Sequence, residues 1–177
     1  MCAKNTDTAN LDTKGFCWYK ATNGIKRHLL VDVSGNPYFV HCTRANSSDD
    51  DGLLAIIREN KQYFLDLPGG HVVTILLDNG YHKEHLEQEI EKIEPPLSSR
   101  IRIEIAEKIT PPQRTAAKAE KPTKKGFVVI KKRWIVERTN AWINQCRALW
   151  KNCEGLLRTS EAKIRICAIR LILRRIA

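Results

Sequence analysis

Two carboxylates stand out in this chain because of their neighbours. Asp78 ends an apolar run, Val72-Val73-Thr74-Ile75-Leu76-Leu77, and is followed by Asn79-Gly80-Tyr81. Glu137 is the lone acid in Lys131-Lys132-Arg133-Trp134-Ile135-Val136-Glu137-Arg138-Thr139-Asn140-Ala141-Trp142, which is otherwise basic and aromatic. A strand-end aspartate and a helix-borne glutamate can share a hard divalent cation, which takes oxygen ligands. The cations around Glu137 suit a polyanion. Together these residue types fit metal-dependent chemistry on a nucleic-acid phosphodiester.

Helical geometry tests whether Glu137 is placed for that work. At about 100° per residue, Ile135, Trp142, Cys146, Leu149 and Cys153 form one apolar stripe of a helix expected over roughly 131–153. Glu137 stands about 200° from Ile135, on a polar strip with Arg133, Asn140, Asn144, Arg147 and Lys151. A solvated face with one i, i+4 pair between Arg133 and Glu137 is the plain alternative. Trp134 and Trp142 favour a firmly anchored helix, and the five cationic or amide groups beside a single acid favour a metal held next to phosphates.

The remaining elements must bring Asp78 and Glu137 together. Residues 25–33 and 37–43 are β-rich and joined by the turn chemistry of Ser34-Gly35-Asn36, so they form a hairpin. Ser48 followed by Asp49, Asp50 and Asp51 starts a helix to about residue 66, the acids serving the cap and the helix dipole rather than a metal. Residues 72–77 read as a buried parallel strand, 83–94 as an amphipathic helix, and 101–106 as an alternating strand. Residues 1–24 read as loop, and 110–125 as a mobile basic loop. A second terminal helix over 160–176 is apolar nearly all round, so burial on two sides is expected, with a partner chain as one candidate cover. This order gives a single α/β domain over 1–177 with a mixed sheet.

With 177 residues, 42% of them hydrophobic, the chain can build one core. The net charge of +10 favours an anionic partner. No apolar run is long enough to span a bilayer, and the terminal helix has its arginines too dispersed to lie on a membrane surface. The N-terminus lacks a secretion signal's apolar core. The six cysteines contain no Cys-x-x-Cys pair and read as reduced packing residues of a cytoplasmic protein. A histidine metal site using Asp78, His82 and His85 fits helical spacing, but no distal ligand stands out.

Five motifs resemble bacterial insertion-sequence transposases of the DDE type, in the group related to insertion sequence five. They are Gly24-Ile25-Lys26-Arg27-His28-Leu29-Leu30-Val31-Asp32, Asn46 with its following acids, Asp78-Asn79-Gly80-Tyr81, the Arg133 to Trp142 run, and Ile169-Arg170-Leu171-Ile172-Leu173-Arg174-Arg175. The resemblance implies an RNase H-like mixed sheet flanked by helices. It also implies three carboxylates holding two Mg²⁺ ions for in-line attack on DNA. Asp78 matches the second aspartate and Glu137 the glutamate. Arg133 and Glu137 match the arginine and glutamate of the family's Tyr-x-x-Arg-x-x-x-Glu-x-x-x-x-x-x-Lys signature, with Ile130 in the tyrosine's place and Asn144 in the lysine's. The cationic residues expected to meet phosphates are Lys26, Arg27, Lys131, Lys132, Arg133 and Arg138.

Lys4-Asn5-Thr6 resembles the sequence that follows the family's first catalytic aspartate, which places that aspartate upstream of Met1. The first central strand would then be missing as well. Asp7 and Asp12 lie in the connecting loop, and Asp32 ends a strand expected to run antiparallel to the missing one, with its end away from the site. A truncated transposase, or the downstream frame of a split one, is therefore expected, inactive alone. Its expected partners are element-end and target DNA, and full-length transposase or an upstream-frame product. The alternative is a non-catalytic DNA-binding regulator or remnant of the transposase.

Overall fold

A computed structural model describes residues 2–5, 13–106 and 134–176. The turn at Ser34-Gly35-Asn36 forms as its chemistry requires. Asp32 accepts hydrogen bonds from the Ser34 and Asn36 amides, and Gly35 takes a positive φ of 83°. It joins β3 (Thr22–Val31) to β4 (Pro37–Arg44), paired antiparallel from Ile25↔Arg44 to Val31↔Pro37. Two short strands, β1 (Cys2–Lys4) and β2 (Gly15–Cys17), add to the N-terminal half of β3, where loop alone was expected. Three-residue strands carry no periodicity, so only pairing reveals them.

Downstream, α1 (Asp49–Glu59) opens with a capping box in which Ser48 and Asp51 satisfy each other's backbone amides. Next come α2 (Lys61–Leu65), β5 (Val73–Leu77), α3 (Lys83–Ile93), α4 (Leu97–Arg100) and β6 (Ile101–Ile105). β5 and β6 pair in parallel, Val73↔Ile101 to Leu77↔Ile105. The expected mixed pairing is therefore present but divided between a four-stranded antiparallel sheet and a two-stranded parallel one. The basic segment 110–125 lies outside the described residues.

Two helices finish the fold. α5 (Trp134–Asn144) stops short of the expected residue 153, because Gln145 and Cys146 bond back only three residues and a 3₁₀ turn follows over Arg147–Leu149. α6 spans Leu157–Ile176.

Apolar burial divides into two cores. One holds Leu53, Ile57, Phe64, Ile75, Leu86, Ile90 and Ile103 beneath β5 and β6. The other holds Ile25, Val40, Cys42, Ile143, Leu149 and Ile164 between the hairpin and the two last helices. β3 serves both, since Leu29 packs into the second and Leu30 into the first. β5 is not buried on both faces: Ile75 and Leu77 are buried, while Thr74 is exposed and Leu76 is 40% exposed. Its outer face borders the space between the two sheets.

Candidate metal centre and nucleic-acid interface

Asp78 follows the last residue of β5, and its Oδ1 accepts the Gly80 amide at 2.8 Å in a tight turn. The side chain is exposed. It borders a cavity of about 310 Å³ whose other walls come from His28 to Val31 of β3, Asp49 and Leu53 of α1, and Val136 and Asn140 of α5. A second cavity of about 250 Å³ joins Asp78 to Asp32, Leu76, Ile135 and Val136. The helix carrying Glu137 therefore faces the strand carrying Asp78 across shared space. Glu137 itself is exposed and stands about 80° around the helix from the direction midway between Val136 and Asn140.

Several acids gather at this end. Asp49 lines the cavity beside Asp78 and pairs with Lys26 at 3.3 Å. Asp50, buried, shares a 2.7 Å hydrogen bond with His82 Nδ1, which ties that ring nitrogen to α1 rather than leaving it for a ligand set with Asp78 and His85. Burial, reinforced by the carboxylates of Asp49, Asp78 and Asp50, pushes the Tyr81 phenol well above its ordinary pKa. Among the described residues, no group of three or more His, Cys, Asp or Glu side chains is arranged to hold a metal ion. Asp49 and Asp32, which line cavities together with Asp78, offer carboxylate oxygens, the type a hard divalent cation takes.

Asp32 lies closer to this region than an antiparallel-strand argument predicts, since it borders the same cavity as Asp78. Its carboxylate is committed to the turn. Burial raises its pKa, but bonds from Asn36, Ser34 and Gly35 outweigh that and hold it below the usual aspartate range.

The cationic residues divide sharply. Arg27 is 3% exposed, and its guanidinium donates to the Leu149 carbonyl at 2.8 Å, which ties β3 to the 3₁₀ turn; the residue also borders the cavity beside Asp78. Lys26 is largely covered and donates to the Ser47 carbonyl at 2.6 Å besides pairing with Asp49. Arg138 lies between Trp134 and Trp142, at 4.3 and 4.7 Å from their ring centroids, and donates to the Ser34 carbonyl. Arg175 covers Trp142 and donates to Asn36, so both arginines lock the last two helices onto the hairpin turn. Lys131, Lys132 and Arg133 lie outside the described residues.

Sequence reasoning passed over Asp49, read as a cap, and Asn140, read only as part of a polar strip. Both line the cavity with Asp78. The buried cluster of Asn5, Asn152 and Ser160 was also unforeseen: Asn152 donates to Asn5 at 3.0 Å and accepts from Ser160 at 2.7 Å. No spacing rule links residues so distant in the chain.

An acid at the end of a parallel strand thus borders a cleft whose far wall is the helix that carries a second acid. Residues 11–172 match the family described as "Transposase DDE domain", and the chain belongs to that family. Over 138 residues, 73% of its length, it is 28% identical to a Burkholderia cepacia protein named "Putative transposase for insertion sequence element IS402". The chain spans about half of that relative, 54%. No solved structure matches it. Among the described residues, no helix is long and apolar enough to cross a membrane.

Proposed function

We propose that the chain is the phosphodiester-processing part of an insertion-sequence transposase, with Asp78 and Glu137 as two of its metal-binding carboxylates. One observation carries this reading: Asp78 borders a cavity completed by Val136 and Asn140, which flank Glu137 on α5. Mg²⁺ is held elsewhere by one or two carboxylates with water and phosphate oxygens, so two acids beside an open cleft fit it. When bound, the metal stabilises charge on the attacking and leaving oxygens. The chain's own contribution is to fix the two carboxylates on a strand end and a helix, and to present cations, Lys131, Lys132 and Arg133 foremost, to the DNA backbone.

The same reading assigns an RNase H-like sheet in which a further strand runs between β3 and β5. On the edge of β3 away from β4, β1 pairs with residues 24–26 and no described residue pairs with 27–31. β5 pairs only with β6 among the described residues. Both unpaired stretches border the 310 Å³ cavity, where the buried Asn140 Oδ1 has no described hydrogen-bond partner. A strand there, from full-length transposase or an upstream-frame product, would satisfy these groups and bring the third carboxylate. By this reading the chain alone binds element-end and target DNA in the cytoplasm without cutting it, which is also how a regulator would behave.

The test compares the chain with Asp78→Asn and Glu137→Gln for Mn²⁺ binding, read by water proton relaxation, and for binding and Mg²⁺-dependent cleavage of element-end duplex. Metal binding should drop at least ten-fold in both variants while DNA binding persists. Unchanged Mn²⁺ binding in both would remove the carboxylate assignment. Cleavage restored by full-length transposase and lost again in either variant separates the enzyme from a regulator.

A further inference from the structure

α6 buries one side only. Ile164 and Cys167 pack against the hairpin and Ala168 is buried, whereas Ile166, Ile169, Leu173 and Ile176 are 67, 56, 60 and 77% exposed. At about 100° per residue these four fall within about 80° of one another, opposite the buried side, so they form a continuous apolar stripe three turns long. Single exposed aliphatic residues need no explanation, but a helical stripe of this kind is the signature of a helix-docking face.

The charges beside the stripe define what would cover it. Arg170 and Arg174, one turn apart along one border, make no ion pair or hydrogen bond with any described residue. On the other border, Glu161 turns toward β4, where it accepts the Cys42 amide and approaches His41 and Arg165. Lys163 is already paired with Glu154 at 2.7 Å. A second copy of this chain would bring only further arginines to the seam, and like charges oppose such pairing.

We infer that this face of α6 docks an amphipathic helix of a partner protein, with an apolar stripe set between the four aliphatic side chains and carboxylates opposite Arg170 and Arg174. The sites assigned to DNA and metal lie on other elements, so this interaction is independent of them.

The probe is a fluorescein-labelled helical peptide with a leucine stripe bordered by glutamates, titrated with the full chain and followed by anisotropy. It should bind at least ten-fold more tightly than the same peptide bordered by lysines. Arg170→Glu with Arg174→Glu should reverse that preference, and Ile169→Asp with Leu173→Asp should abolish binding of both peptides. Circular dichroism checks that the variants fold; should the aspartate pair fail, the arginine pair alone decides. Equal binding of the two peptides overturns the proposal. So does a concentration-dependent dimer in sedimentation that Ile169→Asp with Leu173→Asp dissolves, or displacement of the peptide by vesicles containing phosphatidylserine.

Discussion

The imidazole of His28 packs directly onto the α-carbon of Gly52, so closely that a Cβ there would collide with the ring. The ring also shares a hydrogen bond with Thr43 Oγ1 at 2.8 Å, which fixes it from the other side. α1 therefore crosses β3 at a glycine, and this contact sets the height of the cavity wall formed by His28, Asp49 and Leu53. In an unconstrained helix, Gly→Ala stabilises by about 0.5–1 kcal/mol. Here Gly52→Ala should destabilise by about 1–3 kcal/mol through overpacking. Urea unfolding checks the sign.

Burial pushes the His28 imidazole down to about 4. The unfolded chain takes up this proton near pH 6.5, whereas the folded chain resists it until pH 4. Stability should therefore be fully present above pH 6.5 and fall as the solution is acidified toward pH 4, with this group contributing on the order of 3 kcal/mol at most. His28→Gln, which titrates nowhere in that range, should flatten the slope. An unchanged pH profile would show that another group governs it.

Arg27 belongs to the interior. Its lowered pKa comes from burial, and its hydrogen bond reaches the Leu149 carbonyl. Arg27→Met should cost about 1–3 kcal/mol by leaving that carbonyl unsatisfied. It should leave the salt dependence of DNA binding unchanged once the variant is folded. Replacing Lys131 and Lys132 with alanine should reduce the log–log salt slope by roughly 2, one phosphate contact each. A reduced slope for Arg27→Met would return it to the DNA interface.

Asn152 holds β1 in place: its backbone N–H donates to the Lys4 carbonyl at 2.8 Å and its side chain links Asn5 to Ser160. Asn152→Ala should cost about 1–3 kcal/mol for each buried group left without a partner. Hydrogen exchange at the Ala3 and Ile25 amides should speed up well before global unfolding. Exchange that follows only the global loss would mean that β1 is secured by other contacts.

Local chemistry determined much of this molecule. Ser34-Gly35-Asn36 dictates a turn, Ser48 with Asp51 dictates a helix start, and alternation in Ile101-Arg102-Ile103-Glu104-Ile105 dictates which face is buried; each depends on residues within a few positions of one another. The same reasoning put Asp78 at a strand end and Glu137 on a helix. Tertiary structure decided what local patterns do not encode. It sent Arg27 inward, because β3 passes beneath a carbonyl supplied 122 residues later. It made strands of residues too few to show a period, and it divided the pairing into two sheets. It also left one side of α6 uncovered, because a helix apolar on every face does not record which side its own chain will reach. Cationic and apolar residues look alike in sequence whether they serve the interior or a partner, and only the approach of distant segments separates the two.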